Sequence, residues 1–78
     1  RPALADELEL SPEEFNRRFR KSPVRRPRRR GYLRNVAVAL GNTGSAADLP
    51  AIERALQDAE PLVRRHAGWA MEHIRLRE

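Results

Sequence analysis

The sequence predicts an all-α fold of two stacked helical hairpins, and three observations carry that prediction. Leu33, Val36, Ala37 and Leu40 recur at i, i+3, i+4 and i+7, the spacing of one buried helical face. Ser11-Pro12-x-Glu14 has the form of a capping box with proline at the first helical position. Finally, Leu33-Arg34-x-x-Ala37 is echoed thirty residues later by Val63-Arg64-x-x-Ala67, so one helix type occurs twice.

The first ten residues read as a short helical or irregular lead-in from a missing upstream domain, with Leu4, Leu8 and Leu10 as candidate docking residues. A helix from Pro12 to about Arg20 follows, with Phe15 and Phe19 one turn apart. Leu10 and Phe15 occupy the two ends of a hydrophobic staple. Ser22-Pro23 ends this helix, because the residue before a proline is pushed out of the helical region.

Pro23 and Pro27 bracket a basic connector, and Pro27 suits the first turn of a second helix running to Leu40. Gly31 weakens that helix by about 1 kcal/mol relative to alanine, a cost compatible with close approach of RNA or of a neighbouring helix. Gly41 is placed to take the left-handed conformation that ends helices, with Asn42-Thr43-Gly44 as the turn and Asn42 capping it. Ser45 caps a third helix to about Gln57, turning Leu49, Ile52, Ala55 and Leu56 inward; Pro50 implies a kink or a start nearer Asp48. Asp58 or Glu60 caps the last helix, Pro61 to about Arg75, which buries Val63, Ala67, Ala70, Met71 and Ile74.

Two helical pairs, about 12–41 and 46–76 within a domain 11–78, are HEAT-like in arrangement, each covering its neighbour's apolar face. The thirty-residue spacing is shorter than the ~40 to 47 residues usual for HEAT repeats. At 78 residues the chain is one domain or a piece of one, near the size at which a core buries only ~60% of the unfolded surface. The Arg1 start suggests an excised fragment. There is no cysteine, which removes disulfides, thiolate metal sites and thiol nucleophiles from consideration. No apolar run approaches the ~18 residues of a membrane span, so the chain reads as soluble; a cytoplasmic location without a membrane partner is expected.

Charge is sharply segregated. Residues 1–16 carry a net −4, residues 17–34 a net +10 with no acid, and residues 35–78 a net −1. Such a block is a patch rather than a diffuse excess, and it points to a polyanion. Arg25, Arg26, Arg28, Arg29, Arg30 and Arg34 are the candidate contacts, with Asn35 beside them. Arginine forks match phosphate oxygens bidentately, and each neutralised phosphate releases condensed counterions. Arg17, Arg18, Arg20 and Lys21 are as well explained by a solvated face.

Phe15-x-x-x-Phe19, Ser22-Pro23-x-Arg25, Arg34-Asn35-Val36-Ala37-x-Ala39-Leu40-Gly41-Asn42 and Asp58-x-x-Pro61-x-Val63-Arg64-x-x-Ala67-x-Trp69-Ala70 together resemble the C-terminal HEAT-like region of bacterial epoxyqueuosine reductases. The likeness spans nearly the whole chain. Its Val-Arg-x-x-Ala element is generic to HEAT-like repeats, its Ser-Pro-x-Arg to Arg-Asn-x-Ala-x-Ala-Leu-Gly-Asn spacing is more specific, and Met71 stands where leucine is expected. The resemblance implies a tRNA-modifying oxidoreductase that reduces epoxyqueuosine to queuosine in the anticodon loop with cobalamin and two 4Fe-4S clusters. It further implies that those cofactors and the catalytic residues lie upstream. This chain then has no cofactor, metal or catalytic residue of its own; its partners are the tRNA anticodon stem-loop and the upstream domains.

The remaining polar and aromatic residues have ordinary readings. Tyr32 either stacks on a base or sits half-buried with its hydroxyl wet. Arg64 with Asp58 reads as a structural ion pair, and Arg34 as structural, RNA-facing or both. His66 and His73 share a helical face without a third metal ligand, and Trp69 anchors the last helix to its neighbour. Two competing functions stay open on sequence alone: a HEAT-like protein-interaction module and a DNA-binding helical-repeat domain. Iron-sulfur cysteine runs upstream would decide for the reductase.

Overall fold

In the computed structural model, which describes residues 3–21 and 28–78, every regular element is a helix. In chain order these are α1 (Leu4–Leu8), α2 (Pro12–Phe19), α3 (Arg29–Thr43), a 3₁₀ turn (Ala46–Asp48), α4 (Leu49–Ala55) and α5 (Pro61–Arg77). The all-α class expected from periodicity and capping therefore holds. The expected stop at Ser22-Pro23, the connector to Pro27 and Arg25 and Arg26 lie outside the described residues.

Local signals set the start of α2. Ser11 Oγ accepts the Glu14 N–H at 3.1 Å, Glu14 Oε1 accepts the Ser11 N–H at 2.9 Å, and Pro12 opens the helix. Both staple residues, Leu10 and Phe15, are buried. The last helix likewise begins at Pro61, after Asp58 Oδ2 has accepted the Glu60 N–H at 3.0 Å.

Three boundaries differ from expectation. Helix α3 opens at Arg29 and runs through Gly41 to Thr43, because Gly41 serves packing rather than termination: no glycine among the described residues has positive φ. A Cβ on Gly41 would lie 2.2 Å from Trp69 Cζ3. The true end is at Gly44, whose N–H reaches Leu40 O at 2.7 Å, and Asn42 is an exposed helical residue rather than a cap. The third helix starts beside Asp48, one of the two outcomes expected from Pro50: a 3₁₀ turn precedes α4, and Pro50 sits in the first turn of α4 where its missing N–H does no harm. Helix α5 extends to Arg77, whose guanidinium donates to Gly41 O at 2.5 Å and Gly44 O at 2.8 Å, satisfying carbonyls at the end of α3.

The core lies between α3 and α5, whose contact is the most extensive in the molecule. Leu33, Val36, Ala37 and Leu40 of α3 meet Val63, Ala67, Ala70, Met71 and Ile74 of α5, with Ile52 and Ala55 of α4 and Leu8 of α1 closing the cluster. The two echo helices thus pack side by side. They also run in the same direction, since an ion pair joins residues at their beginnings (Arg29 and Asp58) and the Arg77 bonds join their ends. Alanines at 37, 67 and 70, all fully buried, let the backbones approach. Helix α1 packs on α3 and α4, so the segment read as a lead-in contributes Leu8 to this core while Leu4 stays exposed.

Helix α2 is held through an aromatic cluster. Phe15 and Phe19 lie 5.6 and 5.4 Å from Tyr32 by ring centroids, and 4.6 Å from each other. Beside this cluster the buried carboxylate of Glu7 receives both Arg18, at 2.5 Å, and the Tyr32 hydroxyl. Tyr32 is therefore half-buried as the ordinary reading had it, but its hydroxyl is committed to Glu7.

Candidate nucleic-acid interface

The basic block divides into arginines that the fold uses and arginines that it leaves outward. Arg29, at the first turn of α3, is used. Its Nη1 and Nη2 donate to Asp58 Oδ2 and Oδ1 at 3.1 and 2.6 Å, and its Nε donates to Leu10 O at 3.1 Å. Both side chains are largely covered, at 16% and 13% exposure. The neighbouring guanidinium holds the Asp58 carboxyl below the usual range, and the Glu60 N–H adds to the effect. Arg29 is thus the tie that joins the segment between α1 and α2, the start of α3 and the loop before α5. Of the expected RNA contacts among the described residues, it is the one whose guanidinium is held by a carboxylate.

The same geometry corrects the expected pairing of Arg64 with Asp58. Arg64 Nη1 donates instead to the backbone carbonyls of Asp58 and Ala59, at 2.7 and 3.1 Å. Arg18, one of the residues ascribed to a solvated face, is engaged by Glu7, and that bond is the largest cause holding the Glu7 carboxyl below its ordinary range. The Tyr32 phenol is pushed up by the same carboxylate.

Arg28 and Arg30 flank Arg29 and are exposed. Their side chains have no hydrogen-bond partner among the described residues, and with Arg29 they line a shallow cleft beside Pro12 and Glu60. Arg34, one turn further along α3, is half-buried and donates from Nε to Asn35 Oδ1 at 2.9 Å. Between Arg30 and Tyr32 a Cβ on Gly31 would meet nothing within 4 Å among the described residues, so none of the described helices requires the glycine. The first turn of α3 also brings its free N–H groups and the partial positive charge of the helix start to this surface. The result is a cationic end on a packed helix: Arg28, Arg29 and Arg30 line one cleft, and Arg34, bonded to Asn35, lies one turn beyond Arg30.

A second surface was not marked by the charge pattern. Val38 of α3 and Arg65, His66 and Trp69 of α5 line an open groove between the two helices. Only the side-by-side placement of α3 and α5 creates it. The one trace in the sequence is the spacing that puts His66, Trp69 and His73 on one face of α5. Among the described residues, no group of three His, Asp or Glu side chains is arranged to hold a metal ion, and no helix is long and apolar enough to cross a membrane.

No family model matches the chain, and no solved structure matches it. Curated relatives do. The chain is 48% identical over 59 residues to an epoxyqueuosine reductase of Xanthomonas campestris, a match covering 74% of this chain and 17% of that protein. It is 38% identical over 77 residues to the epoxyqueuosine reductase of Shewanella oneidensis, covering 95% of this chain and 20% of that protein. It is 42% identical over 65 residues to that of Alicycliphilus denitrificans, covering 73% and 18%. The chain is thus related in sequence to epoxyqueuosine reductases, and it spans about a fifth of the length of the relatives it matches.

Proposed function

We propose that the chain is the tRNA-docking segment of an epoxyqueuosine reductase, a cytoplasmic oxidoreductase that reduces epoxyqueuosine to queuosine in the tRNA anticodon loop. In this reading the chain is the C-terminal region of the parent and consists of two HEAT-like pairs. The side-by-side packing of the two echo helices supports that arrangement. The observation that carries the docking role is the outward pair Arg28 and Arg30 at the start of α3, with Arg34 and Asn35 one turn on and no acid in residues 17–34.

The chemistry of the reduction belongs to parts of the parent beyond this chain. With no cysteine, these residues supply no thiolate for a 4Fe-4S cluster, and they do not fit that group. Cobalamin is assigned to the upstream domains by the same family resemblance. What this chain contributes is position. Arginine contacts to phosphate fix the register of an anticodon stem-loop without reading its bases, so affinity falls steeply with salt and the modified base is read elsewhere.

The test is a charge-matched comparison of single variants, Arg28→Glu and Arg30→Glu against Arg75→Glu, an exposed residue at the far end of α5. Arg29 is left intact because its removal would break the tie to Asp58, and Arg77 because it caps α3. The reading expects the first two to weaken binding of an anticodon stem-loop and to lower the slope of affinity on salt by roughly one phosphate contact each, with helicity unchanged. If all three variants bound alike, the docking role would fall and the protein-interaction reading would replace it.

A further inference from the structure

We infer that the groove between α3 and α5 is a base-stacking site for a single-stranded nucleotide, with Trp69 as its platform; the inference rests on the nucleic-acid reading above and extends it to a second surface. Trp69 is the chain's single tryptophan, and it is only partly buried. Its benzo edge packs at Gly41, and His73 stacks on it with ring centroids 4.1 Å apart and planes 36° apart. His73 lies one turn beyond Trp69 on α5 and His66 one turn before it, so the groove beside His66 opens on the side away from His73.

The groove lining selects the occupant. Val38 supplies an apolar floor, Trp69 an aromatic wall, Arg65 a cation, and no carboxylate lines it among the described residues. His66 Nδ1 lies 2.9 Å from Leu62 O. A carbonyl only accepts, so Nδ1 carries the proton of this bond, and Nε2 is left free of it. Aromatic wall, apolar floor and cation together suit a base with its phosphate. They suit a duplex poorly, because paired bases present no free face.

Position favours the same occupant. Arg34 lies one turn before Val38 on α3, so the groove continues from the cationic start of that helix along one face. A strand held by its phosphates at Arg30 and Arg34 would reach Trp69 within a few nucleotides, since Arg30 to Val38 spans roughly 12 Å along a helix axis.

The single tryptophan is its own reporter. The chain would be titrated with a short single-stranded oligoribonucleotide and with a duplex RNA of equal length, following Trp69 emission together with the anisotropy of the labelled RNA. The inference expects the single strand to quench Trp69 emission and the duplex to bind with little quenching. Trp69→Leu, which retains apolar bulk against Gly41, and Arg65→Glu should each weaken single-strand binding by about tenfold, in line with stacking losses on other platforms. Duplex binding serves as the folding control, because a variant that failed to fold would lose both ligands. Binding by anisotropy with Trp69 emission unchanged would overturn the groove and leave the arginine surface standing, as would equal quenching by strand and duplex. Absence of binding by either RNA would overturn both readings.

Discussion

The Arg29 guanidinium and the Asp58 carboxylate, twenty-nine residues apart, meet through two parallel hydrogen bonds of 3.1 and 2.6 Å, and the Arg29 Nε reaches Leu10 O from the same group. One side chain thereby fastens the start of α3 to the segment before α2 and to the turn before α5. Because both partners are mostly covered, removing either leaves a charge without compensation. Arg29→Ala and Asp58→Ala should each destabilise the fold by about 2–4 kcal/mol, with a coupling of about 1–3 kcal/mol in the double-mutant cycle. Urea denaturation checks this. Single losses below about 0.5 kcal/mol would show that the pair contributes nothing.

The same pair sets an acid dependence. Asp58 is held below its ordinary value by Arg29, and Glu7 is held below its own by Arg18 and Tyr32. For depressed carboxylates the stabilisation is complete above the unfolded-state values near ~4 and is lost as pH falls through the lower folded values. Stability should therefore drop below about pH 4. Asp58→Asn should lower stability at neutral pH and make that drop shallower. An unchanged acid profile in the variant would contradict the assignment.

Tyr32 makes a complementary alkaline prediction. Its phenol donates to Glu7, and that carboxylate pushes the phenol up. A raised folded value means the contribution is whole below the unfolded value near ~10 and disappears as pH rises through the folded one. Tyr32→Phe should cost about 1–2 kcal/mol at pH 7 by removing a donor to a buried charge and should abolish the alkaline loss. Chemical denaturation at pH 7 and at high pH separates the two effects.

Two glycines of α3 should respond oppositely to alanine. At Gly31 the new methyl meets open space, so the gain in helix propensity should stabilise by up to about 1 kcal/mol. At Gly41 it would sit 2.2 Å from the Trp69 ring, which is rigid and pinned by His73, so overpacking should cost about 1–3 kcal/mol. Thermal melts of Gly31→Ala and Gly41→Ala give the signs directly. A stabilising Gly41→Ala would refute the close approach of α3 and Trp69.

What the sequence by itself determined is what acts within one or two helical turns. The Ser11–Glu14 box, the prolines that open α2 and α5, and the apolar faces Leu33-Val36-Ala37-Leu40 and Val63-Ala67-Ala70-Met71-Ile74 all appear where their spacing places them. Each is read from neighbours three or four residues apart, which a helix brings together whatever the rest of the chain does. Packing alone decided which arginines are spent inside the fold. Asp58 chooses Arg29 over Arg64, Glu7 is buried under Arg18 and Tyr32, and Gly41 yields to Trp69 instead of ending α3. A charge, a glycine or an aromatic ring carries no label for its distant partner. The partner is set only when α3 and α5 lie side by side, because ion pairs and close contacts require groups within a few ångströms, and only the assembled core supplies that proximity.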